Sequence, residues 1–332
     1  MRVGLGQFTI PTPERLRYIK QLGVEDAQVN MYGYDPSDPH FADSEHFPLT
    51  GEREWTVENL TELREQFEDE GLRLNAVENV PVRFYDQVML GGEKADEQLE
   101  HMKTTIRNLG RAGIPMFGYH WMPGGVVRTT PKTIRGGAEV TAFDAAEVED
   151  DLTHDREYTE AELWDNYERF LDALLPVAEE AGVTMCLHPN DPPVAELGGV
   201  PQLFRNFENF RRAMELVPSS NHALELCLGC WSEMGEDVVE VIRHFGERDQ
   251  LGYVHFRDVE GTVPKFRETF VDEGNFDTYD VLETLHDVGF SGMLLTDHVP
   301  HMEGDSEWGH RGRAHAVGFL NGMLEAIDRQ AE

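Results

Sequence analysis

Short apolar runs, each followed by a longer segment with apolar positions at helical spacing, recur along the whole chain. The runs are Val3 to Phe8, Ala27 to Met31, Leu72 to Val77, Pro115 to Trp121, Val183 to Leu187, His222 to Leu226, Leu251 to Phe256 and Met293 to Thr296. Their unbroken apolar character predicts parallel strands covered on both faces. The intervening helices have readable ends. One begins with Pro13 in its first turn and stops at Gly23; others run from Thr56 to Glu70 before Gly71, Asp96 to Ala112 before Gly113, Ala161 to Ala181 before Gly182, and Asp277 to Val288 before Gly289. Helix, glycine and apolar strand in repeated succession predict a βα series. With 332 residues, the pattern predicts one α/β domain, a (β/α)₈ TIM barrel spanning 1–332. No Gly-x-Gly-x-x-Gly opens the first helix, which argues against a dinucleotide-binding sheet.

Two polar stretches, about 32–55 and 124–158, interrupt the rhythm. Each follows the C-terminal end of a strand, where barrel loops build active sites. The acidic part of the second, Glu147 to Glu160, reads equally well as an elaborated surface loop. Residues 317–327 of the last helix could pack on the barrel or on a neighbouring subunit, with the barrel as the default, so a homo-oligomer stays open.

Composition adds a constraint. The formal net charge is −35, and only five of the 28 basic residues are lysine. Such a surface repels itself at low ionic strength. In molar salt the Debye length falls to about 3 Å and the repulsion is screened. The acid surplus therefore reads as a halophilic adaptation, and it disfavours nucleic acid as a partner. The chain shows no apolar signal-peptide core and no window approaching the roughly 18 apolar residues of a membrane span. Three cysteines cannot form a disulfide framework. A cytoplasmic protein of a high-salt cytosol is expected, with no membrane partner.

The ends of the last four strands carry the chemistry. They present His188, Cys227, His255 and the pair Asp297-His298. Imidazole, thiolate and carboxylate gathered at one barrel mouth suit a divalent transition metal. Any one of them alone would more simply be a structural histidine or a small buried hydrophobe. Cys227-x-x-Cys230 lacks the second pair that a structural zinc would need.

The chain resembles the mannonate dehydratases. The resemblance rests on Val77-Glu78-Asn79-Val80-Pro81, Trp121-Met122-Pro123 with Arg128-Thr129, His188-Pro189-Asn190-Asp191-Pro192-Pro193, Cys227-Leu228-Gly229, His255-Phe256-Arg257, Phe266-Arg267-Glu268, Gly274-Asn275-Phe276-Asp277 and Asp297-His298. It implies a xylose-isomerase-like barrel and a hydro-lyase that converts D-mannonate, a small sugar acid, to 2-keto-3-deoxy-D-gluconate. It implies a manganese site on His188, Cys227, His255 and Asp297, although those ligand types would also accept iron, cobalt or zinc. His298 resembles a catalytic histidine of the family. Where the family has a catalytic tyrosine before the last helix, this chain reads Trp308-Gly309-His310-Arg311-Gly312-Arg313, which makes His310 the candidate replacement. Cys230 stands where the family has Ser or Thr. Arg128, Arg257, His120 and Glu78 are the candidate substrate-binding residues; a guanidinium fork matches a carboxylate, and a surface ion pair is the bland alternative for either arginine.

Two rival functions remain on the same residues. A sugar isomerase or epimerase would draw on Glu78, Glu225 and Glu268, and would normally need no cysteine ligand. A sugar-acid-binding homologue without catalysis is the other.

Overall fold

The computed structural model describes residues 1–35, 38, 41, 44, 46–49, 51, 53–149 and 151–331. All eight expected strands form: β1 (Arg2–Leu5), β2 (Asp26–Asn30), β3 (Arg73–Glu78), β4 (Met116–Tyr119), β5 (Thr184–Leu187), β6 (His222–Cys227), β7 (Leu251–His255) and β8 (Met293–Thr296). They are parallel and close a barrel in sequence order. β1 seals it against β8, with Arg2 opposite Met293 and Leu5 opposite Thr296.

Each strand leads to a helix: α1 (Pro13–Gln21), α2 (Val57–Asp69), α3 (Ala95–Ala112), α4 (Glu160–Ala181), α5 (Phe207–Leu216), α6 (Val238–Gly246), α7 (Thr278–Asp287) and α8 (His310–Ala331). Their starts follow the local chemistry. Thr159 caps α4 in a reciprocal pair with Glu162, the kind of cap whose loss costs about 1 kcal/mol. At the other end Gly182 takes φ 67° and turns the chain into β5, a conformation in which a Cβ would be strained. Val317, Leu320, Leu324 and Ile327 of α8 join the core, so the apolar face of the last helix packs on the barrel.

Two strands are clearly shorter than their apolar runs: β4 covers only Met116–Tyr119 of Pro115 to Trp121, and β1 also stops early. The run from Val3 predicts extension to Phe8, but β1 stops at Leu5 because Gln7 adopts φ 61°. That turn swings the Gln7 side chain towards Glu78 at the end of β3, with Nε2 3.1 Å from Oε1.

Only part of the 32–55 stretch falls among the described residues. The 124–158 stretch contributes Ala142–Asp144 to a three-stranded antiparallel sheet with Val259–Thr262 and Lys265–Glu268. Phe143 opposite Phe266 stacks at 5.8 Å and pins its register. This sheet delivers Glu268 to the barrel mouth. The acidic segment beyond it runs over the surface towards α4, tied down where Thr153 and Tyr158 donate backbone N–H to Gly198 and Gly199. No helix among the described residues is long and apolar enough to cross a membrane.

Candidate metal centre

The C-terminal ends of β5 to β8 bring His188, Cys227, His255 and Asp297 together, and all four are buried. The donor atoms of Cys227, His255 and Asp297 lie within 4.8 Å of one another, and His188 joins Cys227 at the same spacing. Both imidazoles are oriented from behind. His188 Nδ1 donates to the Pro189 carbonyl at 2.7 Å, which leaves Nε2 as the inward lone pair. His255 is held the other way round, with Nε2 2.8 Å from Glu78 Oε2. Its Nδ1 is buried without a hydrogen-bond partner, 3.6 Å from Asp297 Oδ2. A metal-binding histidine is ordinarily fixed in this manner, its second nitrogen engaged by a carbonyl or carboxylate.

The electrostatics point the same way. Burial works against charge on both imidazoles, yet Glu225 and the Cys227 thiolate push His188 up to about 10. Glu78, Asp297 and Glu225 likewise raise His255 well above its ordinary value. The Cys227 thiol is held well below its usual value despite burial, by its hydrogen bond from Cys230, by Arg257 and by the two imidazoles. The cluster is thus an excess of buried negative charge that draws in positive charge. A divalent cation would supply it and release the imidazole protons. A soft thiolate, two nitrogens and a carboxylate fit a first-row transition metal.

Beneath the cluster sits a buried ionic hub. Arg257 Nε is 2.8 Å from Asp297 Oδ2, Nη1 is 2.7 Å from Glu233, and Nη2 is 3.0 Å from Asp191. Arg128 makes a bidentate pair with Asp191 at 2.5 and 2.7 Å and reaches Glu268 at 3.1 Å. Space for the Arg257 guanidinium comes from Gly229, where a Cβ would lie 2.2 Å from Nη1. Above the cluster opens a cavity of about 350 Å³ bordered by Glu78, His188, His255, Asp297 and His298, a size suited to a small ligand.

A family model described as D-mannonate dehydratase (UxuA) matches residues 15–156 and 151–332. The chain belongs to the D-mannonate dehydratase family. Mannonate dehydratase 2 of Halalkalibacterium halodurans is 30% identical over 313 residues, covering 82% of this chain and 88% of the relative. The crystal structure of mannonate dehydratase from Streptococcus suis serotype 2 superposes with a TM-score of 0.87 at 28% identity, over 100% of this chain and 94% of that one. A xylose isomerase domain protein from Planctomyces limnophilus shares the fold, with a TM-score of 0.63 at 14% identity. The fold is therefore the xylose-isomerase-like barrel, and the family's enzymes are hydro-lyases.

Within this mannonate dehydratase fold the remaining candidate residues have distinct places. His298 borders the cavity, its Nδ1 2.5 Å from Glu268 Oε1 and its Nε2 3.8 Å from Asp297 Oδ1. Glu78 forms part of the wall, accepting from Asn30 and Asn79 at 3.0 Å and from Gln28. His120 lies behind it, fully buried, its Nδ1 accepting the Met122 N–H at 3.1 Å. Burial first, and His188 second, bring its pKa down to about 3 and keep it neutral. Arg128 and Arg257 do not border the cavity; both spend their forks on Asp191 and its neighbouring carboxylates. His310 is not brought to the cavity either. It opens α8 with its ring 4.7 Å from Tyr18 and 4.9 Å from Trp308, and its carbonyl accepts the Tyr18 hydroxyl at 2.5 Å. The residues of that segment that line the mouth are Trp308, whose indole N–H donates to the Gly6 carbonyl at 3.0 Å, and Arg313.

Asp191, Glu233 and Gln7 are functional neighbours that sequence reasoning did not single out. Asp191 was visible inside the His-Pro-Asn-Asp-Pro-Pro loop. Glu233 is the one charged residue in the run Leu228–Met234, a pattern that signals a buried ion pair. Gln7 carried no signal, because its role depends on a backbone turn.

Proposed function

We propose that this chain is a divalent-metal-dependent dehydratase that removes water from D-mannonate to give 2-keto-3-deoxy-D-gluconate. The observation that carries the reading is the gathering of Cys227, His255 and Asp297 in one triple of possible donors, with His188 joined to it through Cys227, from four adjacent strand ends and with a second nitrogen of each imidazole engaged. Manganese is the ion we assign there. When bound, it supplies Lewis acidity to oxygens of the substrate and stabilises the charge that develops as the proton α to the carboxylate leaves.

The protein's own part falls to His298. With Nδ1 against Glu268, its Nε2 is the nitrogen that handles a proton in the cavity. Trp308, in the segment expected to bring a second acid–base group, offers an indole that does no such work. His298 therefore takes the C2 proton and returns it to the departing 3-hydroxyl, so that one water leaves and the enol becomes the 2-keto acid. The strongly acidic composition adapts this chemistry to molar salt.

The test is incubation of manganese-reconstituted protein in high salt with D-mannonate and stereoisomeric aldonates, followed by a 2-keto-3-deoxy acid assay. Product from D-mannonate that disappears with a chelator supports the reading. Glu225 forms a second triple of possible donors with His188 and His255, so a sugar isomerase is the alternative this site favours. A product isomeric with its substrate, and no keto-deoxy acid, would move the assignment there.

A further inference from the structure

A second cavity, of about 460 Å³, adjoins the first and shares Gln7, Phe8, Thr9 and His298 with it. It leads away from the metal donors towards α1 and α8. Its wall includes Arg15, whose guanidinium carbon lies 5.1 Å from the Phe8 ring centre and 5.3 Å from that of Trp308. Stacking on two rings fixes the guanidinium at the wall. Nη1 donates to the Ile10 carbonyl at 2.7 Å, while Nε is buried without a partner. Arg15 makes no ion pair with a described residue, although the chain carries a net charge of −35.

The other arginines near the mouth are committed elsewhere. Arg128 and Arg257 belong to the ionic hub. Arg313 borders the second cavity but gives its donors to the carbonyls of Thr296, Asp297 and Trp308 at 2.7 to 2.8 Å. Among the described residues at the mouth, Arg15 is the guanidinium with a buried nitrogen, Nε, that lacks a hydrogen-bond partner. Glu307 and the hydroxyls of Thr9 and Thr141 line the same space. Donors, acceptors and two aromatic faces together match a polyhydroxylated chain, whose hydroxyls both give and accept hydrogen bonds. An anionic terminus would face Glu307 and is disfavoured.

We infer that the second cavity receives the polyol end of the sugar acid, remote from the metal, and that Arg15 recognises it by donating to its outermost hydroxyl oxygens. This rests on the dehydratase reading, which places the carboxylate end at the donor cluster. Arg15 is then the residue that measures substrate length.

Initial-rate kinetics of the manganese-loaded full chain with D-mannonate, with four-carbon D-erythronate as a competing ligand, test it, using native protein, Arg15→Gln and Arg15→Lys. Loss of a charged hydrogen bond should weaken D-mannonate by about tenfold to a hundredfold in Arg15→Gln. D-Erythronate, too short to reach Arg15, should be unaffected. KM for D-mannonate should rise while kcat falls far less, and Arg15→Lys should recover part of the affinity. Unchanged D-mannonate affinity in Arg15→Gln, or equal weakening of both acids, overturns the assignment of Arg15 alone. Failure of the native protein to turn over D-mannonate overturns it together with the dehydratase reading.

Discussion

The two ends of the barrel hold their charges in opposite ways. At the N-terminal end, Asp26 at the start of β2 is buried between Arg2 of β1 and Arg73 of β3. Its oxygens accept from Arg2 Nε at 2.9 Å, from Arg73 Nε and Nη2 at 3.0 and 2.9 Å, and from Asn75 at 2.6 Å. That group is finished: the carboxylate is saturated and the charge balanced. At the C-terminal end, Glu78, Glu225, Asp297 and the Cys227 thiolate face two imidazoles, and His255 Nδ1 and Glu225 Oε1 are buried with no hydrogen-bond partner, although Glu225 Oε1 lies 3.1 Å from His255 Nε2. Buried lone pairs are costly unless something occupies them. An end that satisfies itself is built for stability, and an end that leaves donors aimed at one point is built for a ligand.

The largest effect should come from removing a donor at the unfinished end. Cys227→Ala or Asp297→Ala should abolish stoichiometric manganese retention and lower dehydration about a thousandfold or more, since the ion stabilises several kcal/mol of transition-state charge. Elemental analysis beside the keto-acid assay would check both. Full manganese content with near-native turnover would break the contrast drawn between the two ends. Next comes His298→Gln, which leaves the donor set intact. It should retain metal yet lose about a hundredfold to ten-thousandfold in kcat, the usual contribution of a positioned acid–base group.

What the sequence disclosed and what it hid follow the same division. The barrel was legible because the strands fall on short apolar runs and five of the helices stop at a glycine, so local chemistry and fold agree. The four donors were legible because each closes one of those runs. Arg128 and Arg257 looked like carboxylate-binding forks, but their counter-ions Asp191, Glu233 and Glu268 lie at distances in sequence that no local pattern connects. His310 is two residues from Trp308, and only the path of the chain into α8 decides which of them faces the cavity. Arg15 reads from sequence as an ordinary charge on an amphipathic helix; the neighbouring Trp308, almost 300 residues away, makes it part of a wall.

The ionic hub offers a finer comparison, because it lies at the working end yet engages both arginines with carboxylates, leaving only Glu233 Oε2 of its Arg257 partners without a hydrogen bond. Arg257→Met should cost about 3–5 kcal/mol of stability, since Asp191, Glu233 and Asp297 would be left buried around an apolar side chain. Chemical denaturation would measure it. A loss below about 1 kcal/mol with undiminished metal binding would mean that the hub stabilises neither the fold nor the donor set.

The smallest effect belongs to the finished end. Burial alone would raise the Asp26 carboxyl, but hydrogen bonds from Arg73 and Asn75 and the charge of Arg2 outweigh it and hold the group below its ordinary value. A depressed folded-state pKa makes the ionised form a stabilising one. Its contribution is complete above the unfolded value of about 3.9 and is lost as pH falls through the lower folded value. Asp26→Asn should therefore lower stability at neutral pH by about 1–2 kcal/mol, because both arginines are half-exposed and solvent screens part of the pairing. The deficit relative to the native chain should shrink below about pH 4, should be smaller in molar salt than in dilute buffer, and should leave manganese content and turnover unchanged. Stability curves against pH at two salt concentrations would show this. A deficit independent of pH would mean that Asp26 acts by shape rather than charge. Lost turnover in a variant that stays folded would mean that the two ends of the barrel are coupled.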